Sequence, residues 1–335
     1  MGNYVVRRFL WSVVVLFVVS ILTFGLAHAM PGGPFTRPKK LPDVIIQRLM
    51  EKYNLDAPVG KQYLDYMGDI VIPRVIQGEP SGSLLEDYLI NISLGEDYTF
   101  QWMDFGPSYA SRARTVNDIF REQLPVSFEL GIYALFVALV IGLPLGVLAA
   151  LRQNSIWDYG AVGVAIIGVS APVIVLGPIL IWVFAVELGW FYPTGWLTWQ
   201  HKVLPAIALG IGSSAIIARL TRASLLQVIR EDYIRTARAK GLVERAVVAR
   251  HALRNALIPV ITVLGPIFAA LITGTFVTET IFGIPGLGRY FITSVTNRDY
   301  PVIMGTAFLF AVVLVLANLF IDLAYTWLDP RIQYE

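Results

Sequence analysis

The side chains that could do chemistry are few and scattered. The three histidines, His28, His201 and His251, fall in separate regions and make no HExxH or other metal-ligand spacing. The chain has no cysteine, which removes thiolate nucleophiles, cysteine zinc sites and iron–sulfur clusters together. No G-x-x-x-x-G-K-[ST] loop is present to cradle nucleotide phosphates, and no G-x-S-x-G elbow presents a serine nucleophile. Gly283-Ile-Pro-Gly286-Leu-Gly288 has dinucleotide-loop glycines, but no strand precedes it and Pro285 interrupts it. The remaining candidates are acids at the ends of apolar segments: Glu129, Glu187, Glu279 and Asp322. Each is costly enough in hydrocarbon to mark function, or to demand a neighbouring Arg, Lys or helix terminus as partner. None lies at a midplane, which argues against proton-coupled transport. These patterns point away from an enzyme.

The elements that position these residues are membrane spans. Of 335 residues 56% are hydrophobic and only 15% charged, against roughly 25% charged in soluble domains. A net charge of +2 is too small for a nucleic-acid binder held by phosphate contacts. Segments free of Asp, Glu, Lys and Arg and long enough to span run over Phe9–Ala29, Leu130–Leu151, Tyr159–Val186, Asn255–Thr278 and Tyr300–Ile321. A shorter one, Val203–Ala218, carries Gly210, Gly212, Ser213 and Ser214, which suits a buried span that extends past Arg219. Arg7-Arg8-apolar-Ala27-His28-Ala29 has the look of a secretory signal, but its apolar run is longer than a signal core, so a retained anchor fits better.

With six spans, Arg7, Arg8, Arg152 and the basic residues from Arg219 to Arg254 fall on one side, whereas the short connections opposite hold only Lys202, Arg289 and Arg298. The positive-inside rule then makes both termini cytoplasmic. The expected organisation is an N-terminal transmembrane helix at 1–29, an extracytoplasmic segment at 30–125, and a core at 126–335 of five spans with a cytoplasmic loop at 219–256. In the outer segment Pro42–Tyr53 and Lys61–Met67 have helical spacing, and Tyr63, Tyr66, Tyr88, Tyr98, Trp102 and Tyr109 supply a small aromatic core.

The loop at 219–256 differs in kind. No Pro or Gly interrupts Ser224–Lys240, and Leu226, Ile229, Tyr233, Ala237 and Lys240 recur at helical spacing, which predicts one continuous helix ended by Gly241. Leu242–Leu253 resumes an apolar and basic pattern, so helix, glycine turn and helix form a compact knob at the membrane surface. Anionic lipid is a natural contact for so basic a surface.

Tyr233-Ile-Arg-Thr-Ala-Arg-Ala-Lys-Gly241 followed by Arg250-His-Ala-Leu-Arg-Asn-Ala-Leu-Ile-Pro259 resembles the cytoplasmic EAA loop of ABC-importer membrane subunits. Within these it resembles the dipeptide and oligopeptide permease branch, specifically its B-type subunit. Asp104-Phe-Gly-Pro-Ser-Tyr109, Leu124-Pro-Val-Ser127, Thr278-Glu-Thr-Ile-Phe-Gly-Ile-Pro-Gly-Leu-Gly288, Arg298-Asp-Tyr-Pro301 and Asp329-Pro-Arg-Ile332 agree with it in order and sidedness. Two departures stand out: Arg235-Thr236-Ala237 occupies the Glu-Ala-Ala position, and residues 69–103 are longer than the usual outer segment.

The resemblance implies an all-α polytopic membrane protein of the type I ABC importer permease kind, with six transmembrane helices and a small extracytoplasmic insertion between the first two. It implies a bacterial inner-membrane location, a C-type second permease subunit, two ABC ATPases and an extracytoplasmic solute-binding protein as partners, and no nucleic acid. No cofactor is expected on this chain; ATP and Mg belong to the ATPases. The coupling segment it implies is Glu231, Asp232, Tyr233, Ile234, Arg235, Thr236, Ala237, Arg238, Ala239, Lys240 and Gly241. Tyr233, Ile234, Thr236, Ala237 and Gly241 are expected to carry the contact with an ATPase. Peptide is the expected cargo, with oligosaccharide and metal chelate open. An ATP-independent channel or secondary transporter, and a receptor built on the outer segment, are the readings from other classes.

Overall fold

A computed structural model describes residues 2–31, 33–35, 43–77, 87–95, 97–111, 113–273 and 275–328. The tail motif at 329–332, the Asp322 side chain and parts of 69–103 therefore lie outside the described residues. The elements are α1 (Gly2–Ala29), α2 (Asp43–Lys52), α3 (Val59–Val71), β1 (Arg74–Gln77), β2 (Ile90–Ser93), β3 (Tyr98–Trp102), α4 (Val116–Leu151), α5 (Ile156–Ser170) and α6 (Val173–Leu180). A π-helix (Ile181–Glu187) follows, then α7 (Trp199–Val228), α8 (Asp232–Ala239), α9 (Glu244–Ala246), a second π-helix (Val247–Ala252), α10 (Leu253–Ala256), α11 (Ile258–Thr273), α12 (Phe276–Ile281), α13 (Leu287–Asn297) and α14 (Tyr300–Leu328).

Among the described residues five helices are long and apolar enough to cross a bilayer: Val6–Ala29, Val116–Leu151, Trp199–Val228, Ile258–Ile281 and Tyr300–Phe320. The chain is a multi-pass membrane protein. The crossing expected over Tyr159–Val186 comes in pieces, because Pro172 takes an extended conformation (φ −60°, ψ 140°) between α5 and α6; proline disfavours helix in the residue before it. α4 begins well before Leu130, since Asp118, Arg121, Glu122 and Glu129 interrupt an apolar run without breaking a helix.

The chain divides into two compact units, one built mainly from Ser127–Pro285, the other from Val6–Val126 with Gly286–Val312. In the first, α4, α7 and α11 share a core of Ala134, Ala138, Ile217, Val260, Ile267 and Leu271. Small residues bring α4 and α7 into backbone contact. A Cβ placed on Gly146 would lie 2.6 Å from the Ala218 carbonyl oxygen, and one on Gly210 would lie 2.5 Å from that of Ala134. Lipid provides no hydrophobic force between helices, so this close van der Waals approach is what holds them.

The second unit packs Phe24 and Ala27 of α1 against Tyr300 and Met304 of α14. It also holds an element the sequence reading did not foresee, an antiparallel sheet of order β1-β3-β2, with Val75 opposite Phe100 and Ile92 opposite the same residue. Asp104 follows β3 and is buried, its Oδ1 accepting the Gly106 N–H at 2.8 Å. Burial pushes this carboxyl up to about 7, the Gly106 hydrogen bond opposes the rise, and Asp69 and Asp87 add to it. The folded unit thus holds its proton more tightly than the unfolded chain. Its stability falls as pH rises from the unfolded value near 3.8 to about 7 and is level above that. Asp104→Asn keeps the acceptor and removes the charge. It is expected to increase amide protection of β3 at pH 8, by on the order of 4 kcal/mol at most, and to leave it unchanged at pH 3; equal protection at both pH values would refute the assignment.

Candidate functional site

The predicted continuous helix over Ser224–Lys240 is instead two. α7 stops at Val228, where the amide of Arg230 bonds the Gln227 carbonyl (3.2 Å) and that of Glu231 bonds the Val228 carbonyl (3.1 Å). Glu231 then turns extended (φ −67°, ψ 148°) as the N-cap of α8. The physical reason is burial. In a straight helix Leu225 and Ile234 would stand about 13 Å apart along the axis; the turn folds both into one cluster with Ala150, Ala237, Val247, Ala252 and Ala256.

This fixes which way residues 231–241 face. Ile234 and Ala237, two of the expected contact residues, are buried at 0% and 6% exposure and pack α8 onto the body. Tyr233 is 41% exposed, and Glu231, Asp232, Arg235, Thr236, Arg238, Ala239, Lys240 and Gly241 are exposed around it. Asp232 in the first turn and Arg238 in the last complement the helix dipole. The Thr236 hydroxyl donates to the Asp232 carbonyl at 3.0 Å, and Asn255 Nδ2 donates to the Tyr233 hydroxyl at 2.8 Å.

The end of α8 is a Schellman cap. The Gly241 N–H bonds the Arg238 carbonyl (2.9 Å) and the Leu242 N–H bonds the Ala237 carbonyl (3.4 Å), with Gly241 left-handed at φ +79°. A Cβ there would meet nothing within 4 Å, so the glycine is required by backbone conformation and not by space. Across this turn Arg238 grips Glu244 with two bonds of 2.7 and 3.1 Å. The hydrogen bond to Arg238 holds the Glu244 carboxyl below the usual carboxylate range. The chain returns through α9 and the second π-helix to α11, in which Pro259 occupies the opening turn.

A buried ion pair, absent from the sequence reading, stands near the root of the hairpin. Arg222 of α7 donates to both oxygens of Asp158 of α5 at 2.6 and 2.7 Å, and the Asp158 side chain is only 2% exposed. Asp158 also ties down the start of α5: its N–H reaches the N-cap Ser155 Oγ (3.4 Å), and its carboxylate accepts the N–H of Asn154 in the preceding turn (2.9 Å). One acid therefore fixes both the α4–α5 turn and the α5–α7 contact.

The other acids are partnered. Glu129 accepts from Lys202 Nζ (2.5 Å), Trp196 Nε1 (3.0 Å) and the Tyr133 hydroxyl (3.0 Å). Glu187 accepts from Trp182 Nε1 at 3.1 Å. Glu279 departs from expectation: it is fully buried, and its Oε1 accepts the hydroxyls of Ser127 and Thr275, both at 2.7 Å. Among the histidines, His28 pairs with Gln62 and His201 with Thr198. Among the described residues no three His, Asp or Glu side chains are placed to hold a metal. Gly283 makes a left-handed turn (φ 60°) before α13.

What the geometry offers is a capped, exposed helix tied to spanning helices, and comparison with known proteins shows the family of the chain that carries it. Residues 142–334 match the family model for the binding-protein-dependent transport system inner membrane component, and residues 1–84 match the model for the N-terminal part of such membrane components. The chain is 43% identical to the dipeptide transport system permease protein DppB of Bacillus subtilis, over 99% of this chain and 98% of that protein. It is 37% identical to the oligopeptide transport system permease protein OppB of Salmonella typhimurium, over the full length of both. It is 38% identical to the glutathione transport system permease protein GsiC of Escherichia coli, again over both full lengths. In fold it is similar to a chain of the inward-facing MetNI methionine ABC transporter, with a TM-score of 0.53 and 22% identity over 63% of this chain and 96% of that one. From its family models and full-length relatives, the chain belongs to the inner-membrane permease components of binding-protein-dependent ABC transport systems.

Proposed function

We propose that the chain lines half of the translocation pathway of a peptide importer and transmits ATPase motion to it through the exposed face of α8. The observation that carries this is the division of that helix. Ile234 and Ala237 anchor it, while Tyr233, Arg235, Thr236 and the Gly241 turn are exposed on its other face. The relatives named for dipeptide, oligopeptide and glutathione transport support peptides as cargo. Lys/Arg asymmetry supports cytoplasmic termini and a cytoplasmic hairpin. In this reading a C-type permease completes the pathway, two ATPases bind ATP and Mg and receive the hairpins, and a solute-binding protein delivers cargo outside. The chain makes and breaks no bond itself; it carries two states whose populations ATP binding biases.

The test is purification of the assembly through a tag on this chain. Thr236→Trp, on the exposed face, is expected to strip the ATPases at least tenfold while the partner permease stays; full ATPase recovery would overturn the docking face. Gly241→Ala loosens the cap by about 1 kcal/mol, because a left-handed position tolerates only glycine without cost. Transport-coupled ATP hydrolysis should drop in this variant while membrane insertion is unchanged, and intact coupling would count against a rigid hairpin.

A further inference from the structure

Beside the hairpin, a cleft of about 510 Å³ opens between the α4–α5 turn and the end of α7. Three guanidiniums border it, those of Arg152, Arg230 and Arg238. Arg238 is neutralised by Glu244 at 2.7 Å. Arg152 and Arg230 make no ion pair among the described residues, and Arg152 lies over the Trp157 ring at 5.7 Å. Two arginines without an ion-pair partner thus line one cleft together with the apolar side chains of Ala150, Leu151, Leu226 and Ile229. The turn that carries Arg152 is fixed by the Asp158 carboxylate on the Asn154 N–H, and the Asp158–Arg222 pair ties that turn to α7, with Arg230 just beyond the end of that helix.

We propose that this cleft holds the phosphate of an anionic phospholipid headgroup from the leaflet on the hairpin side, a placement that rests on the membrane-surface position proposed for the hairpin. Arginine pairs with phosphate through charge-assisted bonds, and basic pockets between spanning helices on the cytoplasmic side are suited to such headgroups. The occupant is a lipid and not a dissolved anion because of what surrounds the charges. Ile156, Trp157 and Tyr159, on the first turn of α5, are 83%, 54% and 68% exposed, an apolar and aromatic rim where a spanning helix enters the bilayer. The apolar side chains suit glycerol and the first acyl carbons, and give a free phosphate nothing. A headgroup seated here touches both the α4–α5 turn and the root of the hairpin, so leaflet composition would act on the coupling element directly.

The experiment is native mass spectrometry of the full chain in its assembly, in mild detergent, with added phosphatidylglycerol or phosphatidylcholine. Phosphatidylglycerol should be retained in preference. Removing the charges with R152Q and R230Q should weaken it by about fivefold each, on the order of 25-fold together. R245Q, which removes an exposed charge outside the cleft, should leave retention within about twofold, and the double Arg→Lys variant should preserve most of it as a check on folding. Equal retention in the double Gln variant overturns the proposal. So does an equal loss in R245Q, which would signify a diffuse basic surface, or complete displacement by inorganic phosphate, which would signify a soluble anion. Retention is read without nucleotide or cargo, so its failure is distinct from failure of the coupling reading.

Discussion

Asp158→Ala is expected to destabilise the helical body by about 1–3 kcal/mol, because the Arg222 guanidinium, 29% exposed, loses its carboxylate in the α5–α7 contact. Two further losses accompany the ion pair: the Asn154 N–H loses its acceptor and the α4–α5 turn loosens. The measurement is the thermal midpoint and folded yield of the chain in nanodiscs. The decisive companion is Asp158→Ala with Arg222→Met. Removing both charges is expected to recover most of the loss, since a buried pair contributes little net stability over apolar replacements while a lone buried charge is costly. If the double variant is no better than the single, the pair is not the source of the effect. Coupling should suffer in both, because the turn beside the hairpin loses its anchor either way.

The second large effect is expected at the α4–α7 crossing. Gly210→Leu places a Cβ 2.5 Å from the Ala134 carbonyl oxygen, and Gly146→Leu places one 2.6 Å from that of Ala218. The obstructing atoms are backbone, so neither helix can yield by a rotamer change, and the two must separate. Overpacking of this kind costs about 3 kcal/mol or more at the upper end of its range. Separation would also open the core around Ile217 and Leu271. Gly160→Leu, at a position where a Cβ meets nothing within 4 Å, is the control and is expected to be neutral. Comparable folded yields for all three variants would show that the crossing is not held by close approach.

The spans were legible because a bilayer imposes their length and apolarity. Their ends were not, because hydropathy stops at charges and helices do not. α4 carries Asp118, Arg121 and Glu122 in its early turns, and α7 continues through Arg219 and Arg222 to Val228. The role of Arg222 was not legible because its partner, Asp158, lies on another helix, and no local pattern links them. The sheet left little trace: its strands are short, and β2 is nearly all exposed, so alternation is weak. At the hairpin, the motif located α8 and its glycine stop correctly. It could not tell which residues face in, since Ile234 and Ala237 are apolar and small enough to suit either a core or a docking face. Burial against Leu225 and Val247 decides it.

The interruption at Pro172 has a consequence for sidedness within the plane of the membrane. The last turn of α5 has carbonyls with no intrahelical partner, and Pro172 has no N–H to offer. Hydrocarbon cannot solvate such groups, so broken backbone at membrane depth survives only against protein or against water. Gly168, in that last turn, lies against Ile211 and Gly212 of α7, so this chain covers one side of the break, whereas Ser170 and Pro172 are exposed. The exposed side at Ser170 and Pro172 is therefore the wet or subunit-facing flank of this crossing.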